Sequence, residues 1–179
     1  VRLPLARDRL HGEPLAFAMD MLTIAAAELG SISERRLAIL LMPIANEINA
    51  RSLVKNSGLN SGLMPAHVSV SALVSENKTL SHPSSVDSIP TFGGQEDHVS
   101  MGAYSARKAL LVLENLESIL AIEIMAACQA IDFQRENGLP GTGTSAVYNL
   151  VRKSVLPIDG DREYRIDINA CERLVRSGE

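Results

Sequence analysis

Residues 93–102, "GGQEDHVSMG", set a neutral amide, two acids and an imidazole side by side at the head of a long helical pattern. Three kinds of chemistry use such residues. Acids at a helix start cap free backbone N–H groups and meet the positive end of the helix dipole. Carboxylate and imidazole together bind metals. A carboxylate held ionised at a helix N-terminus also accepts hydrogen bonds from a cationic or N–H-bearing ligand. Asp97 fits the cap. Capping leaves Gln95 and Glu96 unexplained, and with them Gly93 and Gly94, which permit close backbone approach or positive φ. A pocket wall built on Glu96 and Gln95 therefore stands beside the cap as a second reading.

The metal reading fails on spacing. His11, His67, His82 and His98 form no H-x-x-x-H or H-E-x-x-H pattern, and consecutive side chains at 96 to 98 point in different directions. Cys128 and Cys171 make no ligand pair and sit in helical patterns, which fits reduced, buried thiols of a cytosolic protein. "GLPGTGTS" (138–145) has the glycine offset of a phosphate loop, but Thr144 stands where lysine is required and no strand precedes it. It reads as a helix-to-helix turn. No metal is expected.

Helices must position these residues. The 179 residues suffice for one domain with a real core, so the whole chain, 1–179, reads as a single helical domain. Aromatics make up 3%, so that core is built from Ala, Leu, Ile, Val and Met, which suits close-packed helices. A net charge of −4 argues against nucleic acid as a partner. The most apolar candidate, 118–131, is too short and, with Glu123 in its middle, too charged for a membrane span. No signal peptide is visible, and the first residue is Val1, pointing to a processed start or a piece of a longer chain.

Pro14 and Gly30 bracket a first helix, and Ser31 with Glu34 has capping-box spacing for a second, to Met42. A third is expected from Pro65 to Leu80. Residues 81–97 form a long loop with several apolar residues, of the kind that is ordered and functional. From Asp97 to Arg135 the pattern is helical, a rod of about 55 Å. A compact domain of this size is roughly 30–35 Å across, so the rod calls for partners outside the chain, in an oligomer of bundled helices. Two shorter helices, 144–155 and 167–177, complete an all-α class, with Asp167 as cap of the last.

The block "NSGLMPAHVSVSALVSENKTLSHPSSVDSIPTFGGQEDHVSMGAYSARK" closely resembles the corresponding stretch of histidine ammonia-lyases, in the aromatic amino acid lyase family. The likeness extends back through "HGEPLAFAMDMLTIAAAELGSISERRLAILL" and forward through "ILAIEIMAACQAIDF" to "LVRSG", about Leu10 to Gly178. It implies long antiparallel helices in a homotetramer with active sites shared between subunits. It implies elimination of ammonia from an aromatic amino acid, histidine to urocanate in the nearest group. The family's electrophile is a methylidene-imidazolone made from an internal Ala-Ser-Gly tripeptide. No Ala-Ser-Gly occurs in residues 1–179, so the group is expected from an N-terminal part outside this sequence, and the chain alone is expected to be inactive.

The resemblance also assigns residues. Glu96 falls on the family's substrate-contacting position, Glu in histidine lyases and Gln in phenylalanine lyases, and is expected to bind the imidazole or handle its proton, with Gln95 beside it. The chemistry agrees: an imidazole offers an N–H and can be cationic, which suits a carboxylate, whereas a phenyl ring would leave a buried charge unsatisfied. Leu10 and Arg9, in "RLHGEP", stand where the family reads Phe and Asn; Leu10 keeps an apolar wall but loses ring stacking. His82 and His98 are expected in structural hydrogen bonds, and His67 in the core or an interface. A non-catalytic helical assembly module derived from a lyase, or a phenylalanine/tyrosine lyase or aminomutase relative, stays open beside the histidine lyase.

Overall fold

The structure, a computed structural model, describes residues 11–43, 48, 50–138 and 140–178. Five α-helices follow in order: α1 Glu13–Leu40, α2 Met64–Leu80, α3 Gly102–Gln134, α4 Thr142–Arg152 and α5 Tyr164–Ser177, with short 3-10 turns at Arg51–Leu53, Phe92–Gly94 and Arg135–Asn137. Among the described residues no strand forms, only isolated bridges. The chain divides into two compact units. One draws on the described parts of Val1–Glu28 and on Ser75–Asn115, the other on Leu29–Val74 and the described parts of Leu116–Glu179.

α1 corrects the expected break at Gly30. Its buried row runs Ala16, Asp20, Thr23, Ala26, Gly30, Ser33 and Leu37 at helical spacing, without interruption. A mid-helix glycine costs only about 1 kcal/mol, too little to stop a helix whose buried face continues on both sides. The capping box fails for the same reason: the Glu34 carboxylate is engaged by His67 Nε2 at 2.7 Å and by Arg35 at 2.5 Å. His67 is thereby a packing histidine, as expected.

α2 falls within one residue of its expected start and ends where predicted. α3 begins five residues later than expected, at Gly102, and its 33 residues span about 50 Å. Asp97 therefore caps no helix. Nor does Asp167 cap α5; it lies in the first turn, where Arg162 Nε donates to it at 2.8 Å. α5 ends on Gly178 in the left-handed conformation (φ 72°), the usual helix stop.

The second unit holds the main core, built from Leu37, Leu53, Val70, Ile119, Met125 and Val155 among others. Buried Gln129 ties it together: its amide donates to the carbonyls of Leu53 (3.2 Å) and Ile158 (2.9 Å), and its oxygen accepts from Ile158 N–H at 3.0 Å. Such a side chain satisfies backbone groups that packing would otherwise strand. Cys128 and Cys171 are free, buried thiols, as predicted, and burial pushes Cys171 up to about 12.

The second half of α3 is buried within this unit, so the expected need for outside partners is not located there. Exposed apolar side chains line α1 instead: Leu15, Phe17, Met21, Leu29, Ile32 and Ile39. α1, not 118–131, is also the helix whose length and apolarity would suffice to cross a membrane among those described. Its buried Asp20, Ser33 and Glu34 pair with other elements of the same chain: Ser33, for one, donates to Glu123 of α3 at 2.5 Å.

Candidate functional site

The residues singled out at 95–98 lie in the first unit, on the 81–101 loop between α2 and α3. Three features build that loop. At its base, Ser85 N–H donates to Asp20 Oδ2 of α1 at 2.7 Å, and Lys108 Nζ of α3 donates to the His82 carbonyl. Across its middle, Val99 N–H donates to Ser88 Oγ at 2.9 Å. At its tip, Thr91 and Glu96 exchange backbone hydrogen bonds of 3.0 and 3.4 Å, closing a tight turn through Phe92, Gly93 and Gly94. All three turn residues take positive φ (54°, 67° and 89°), so the two glycines serve the left-handed backbone that the sequence suggested.

Gln95, Glu96, Asp97 and His98 are all exposed, and the Glu96 carboxylate projects from the tip rung of the loop rather than from a helix N-terminus. His98 has a structural role. Its carbonyl accepts from His11 Nε2 at 2.9 Å, and the two rings stack with centroids 5.2 Å apart. Glu13 N–H approaches His11 Nδ1 at 3.4 Å, which places the His11 proton on Nε2. The His98 Nε2 lies 3.8 Å from Glu13 Oε2. His82 contributes its backbone, as described, not its ring. Behind this clasp α1 and α3 start almost in contact: a Cβ on Gly102 would lie 3.1 Å from the Gly12 carbonyl, and one on Gly12 would lie 2.7 Å from Ser100 Oγ.

Leu10 and Arg9 lie outside the described residues. Sequence reading passed over Asp20 and Lys108, whose side chains are each 5% exposed and lie 3.8 Å apart. The signal was present: Asp20 is the lone charge in "PLAFAMDMLTIAAA", and a charge inside an apolar run needs a buried partner.

A cleft of about 620 Å³ opens beside the loop base, lined by Leu80, His82, Ser84, Met101, Tyr104 and Lys108 among others, but not by Glu96. Among the described residues no cluster of His, Cys, Asp and Glu could hold a metal.

Burial works against the Asp20 charge, but the Ser85 N–H, the Ser85 and Ser105 hydroxyls and Lys108 together outweigh it and hold the carboxyl below its ordinary value. Glu34 is lowered chiefly by Arg35, with His67, and Asp161 by the N–H groups of Ser61 and Gly62. Groups depressed in the folded state stabilise it fully above their unfolded value and cease to as pH falls through the folded one. Urea midpoints should hold level above about pH 5 and fall steadily below about pH 4. Asp20→Asn should flatten that fall.

A family model for aromatic amino acid lyases matches residues 9–153. The chain is 52% identical over 168 residues to the histidine ammonia-lyase of Caldanaerobacter subterraneus subsp. tengcongensis, covering 94% of this chain and 33% of that protein. It is 52% identical over 169 residues to that of Myxococcus xanthus, with the same shares covered. The solved histidine ammonia-lyase from Trypanosoma cruzi superposes with a TM-score of 0.90 at 51% identity, over 94% of this chain and 33% of that one. Tyrosine aminomutase from Streptomyces globisporus superposes at 0.88 and 40% identity, over 94% and 32%. The chain thus spans about a third of the length of the relatives it matches.

Proposed function

Because the chain belongs to the aromatic amino acid lyase family, we propose that it is the C-terminal part of an ammonia-lyase that converts histidine to urocanate. The observation that carries this reading is the joint likeness in sequence and fold to histidine ammonia-lyases, at 51–52% identity. In it Glu96 meets the imidazole N–H of the substrate, with Gln95 beside it. An ionised carboxylate both orients that ring and favours its cationic form.

The methylidene-imidazolone would supply the electrophile that makes the β-proton removable. This chain contains no Ala-Ser-Gly from which to form it. We assign the group, and the base that takes the proton, to the remainder of the lyase chain. The working form would be a cytoplasmic homotetramer, which would also cover the exposed apolar residues of α1.

The test is a chimera in which residues 9–178 replace the matching third of the Trypanosoma cruzi enzyme. It should release urocanate from histidine, while the 179-residue chain alone releases none. A folded chimera inert toward histidine but active on tyrosine or phenylalanine would reassign the substrate; one inert toward all three would favour the assembly module. In the same chimera Leu10→Phe should lower KM for histidine about threefold by restoring ring stacking. An unchanged KM would remove Leu10 from the pocket wall.

A further inference from the structure

Asp20 and Lys108 are an expensive way to hold two helices together. Both are buried, and a buried ion pair contributes less to stability than apolar residues of the same volume would. Neither completes its hydrogen bonding with the other: they are 3.8 Å apart, and each instead reaches a backbone atom of the 81–101 loop. Asp20 takes the Ser85 N–H, and Lys108 takes the His82 carbonyl. Opposite charges thus grip a donor and an acceptor of the main chain, three residues apart, from two different helices. Such a grip fixes where the loop leaves the helices whatever its side chains are.

From this base the position is carried forward by backbone. The Ser88–Val99 bond joins the two arms of the loop, and the Thr91–Glu96 pair closes its tip. The returning arm is pinned separately, by His11 on the His98 carbonyl. Glu96 is itself exposed, and among the described residues no side chain bonds its carboxylate, so its placement depends on the backbone beneath it. We propose that Asp20 and Lys108 are positioning residues of the lyase site: through His82 and Ser85 they hold the loop that presents Glu96 to the substrate. The inference rests on the reading of Glu96 as a substrate contact.

Hydrogen exchange on the 179-residue chain tests the grip, and kinetics of the chimera test its purpose. In Asp20→Ala and Lys108→Met, amides from 84 to 99 should exchange at least about tenfold faster, while those of α4 and α5 stay within about twofold. In the chimera KM for histidine should rise about tenfold with kcat within about threefold, the mark of a misplaced binding group. Asp20→Asn retains an acceptor for the Ser85 N–H and should recover part of both effects. Unchanged loop exchange, or acceleration spread evenly over the whole chain, overturns the grip. A fall in kcat at constant KM overturns the positioning role. Glu96→Gln judges the substrate reading separately: an unaltered KM there removes the purpose of the grip, while loop exchange still decides its existence.

Discussion

Glu96→Gln in the chimera should lower kcat/KM for histidine about tenfold, because it replaces a charge-assisted hydrogen bond worth roughly 1.5–3 kcal/mol with a neutral one worth roughly 0.5–1.5 kcal/mol. The amide still accepts from an N–H, so the loss isolates the charge and not the contact. Folding should barely notice: Glu96 is exposed, and its structural bonds are made by its backbone to Thr91. Surface changes of this kind stay within about 0.5 kcal/mol. Urea denaturation of the 179-residue chain, set beside steady-state kinetics of the chimera, separates the two quantities. Activity and stability falling together would mean that Glu96 serves the loop and not the substrate.

Gly62→Ala should destabilise the chain by about 3–5 kcal/mol, the range reserved for a strained backbone combined with a clash. Gly62 sits at φ 57°, and an added Cβ would lie 2.4 Å from the Ser52 carbonyl oxygen and 2.7 and 2.8 Å from Val54. None of these can yield cheaply. The Ser52 carbonyl already accepts from Leu63 N–H at 3.0 Å, Val54 is buried, and the Gly62 N–H is held by Asp161 at 2.8 Å. Gly141→Ala is the control: its backbone is ordinary, nothing lies within 4 Å of a new Cβ, and the change should stay within about 0.5 kcal/mol. Equal urea midpoints for the two variants would mean that the 52–62 turn gives way freely.

Helical class was legible because it rests on many residues at once: few aromatics, alanine-rich periodic stretches and proline at helix margins. α2 is bounded by Pro65 and the Ser81-His82-Pro83 turn, and local signals placed it almost to the residue. Local signals misled where tertiary partners outbid them. Ser31 and Glu34 have the spacing of a cap, but His67, 33 positions away, claims the carboxylate together with the neighbouring Arg35, and nothing near Glu34 in the sequence announces His67. Asp97 misled in the same way: the turn at 91–96 and the His11 bond to His98 keep the chain extended for several residues before α3 can start. Glu96 was singled out as a candidate through its neighbours' pattern and the family resemblance. Its supporting pair, Asp20 and Lys108, was missed because their meeting links positions 88 apart in sequence, which periodicity cannot see.

Any partner that covers the apolar flank of α1 would make the free energy of this chain depend on company. Whatever binds that flank in the folded state and not in the unfolded one raises apparent stability by mass action, about 2.7 kcal/mol at a hundredfold excess over Kd. Protein concentration, detergent and co-purifying polypeptide therefore enter every melting curve as thermodynamic variables. Two preparations of identical sequence are comparable only when what rests against Leu15, Met21 and Leu29 is the same in both.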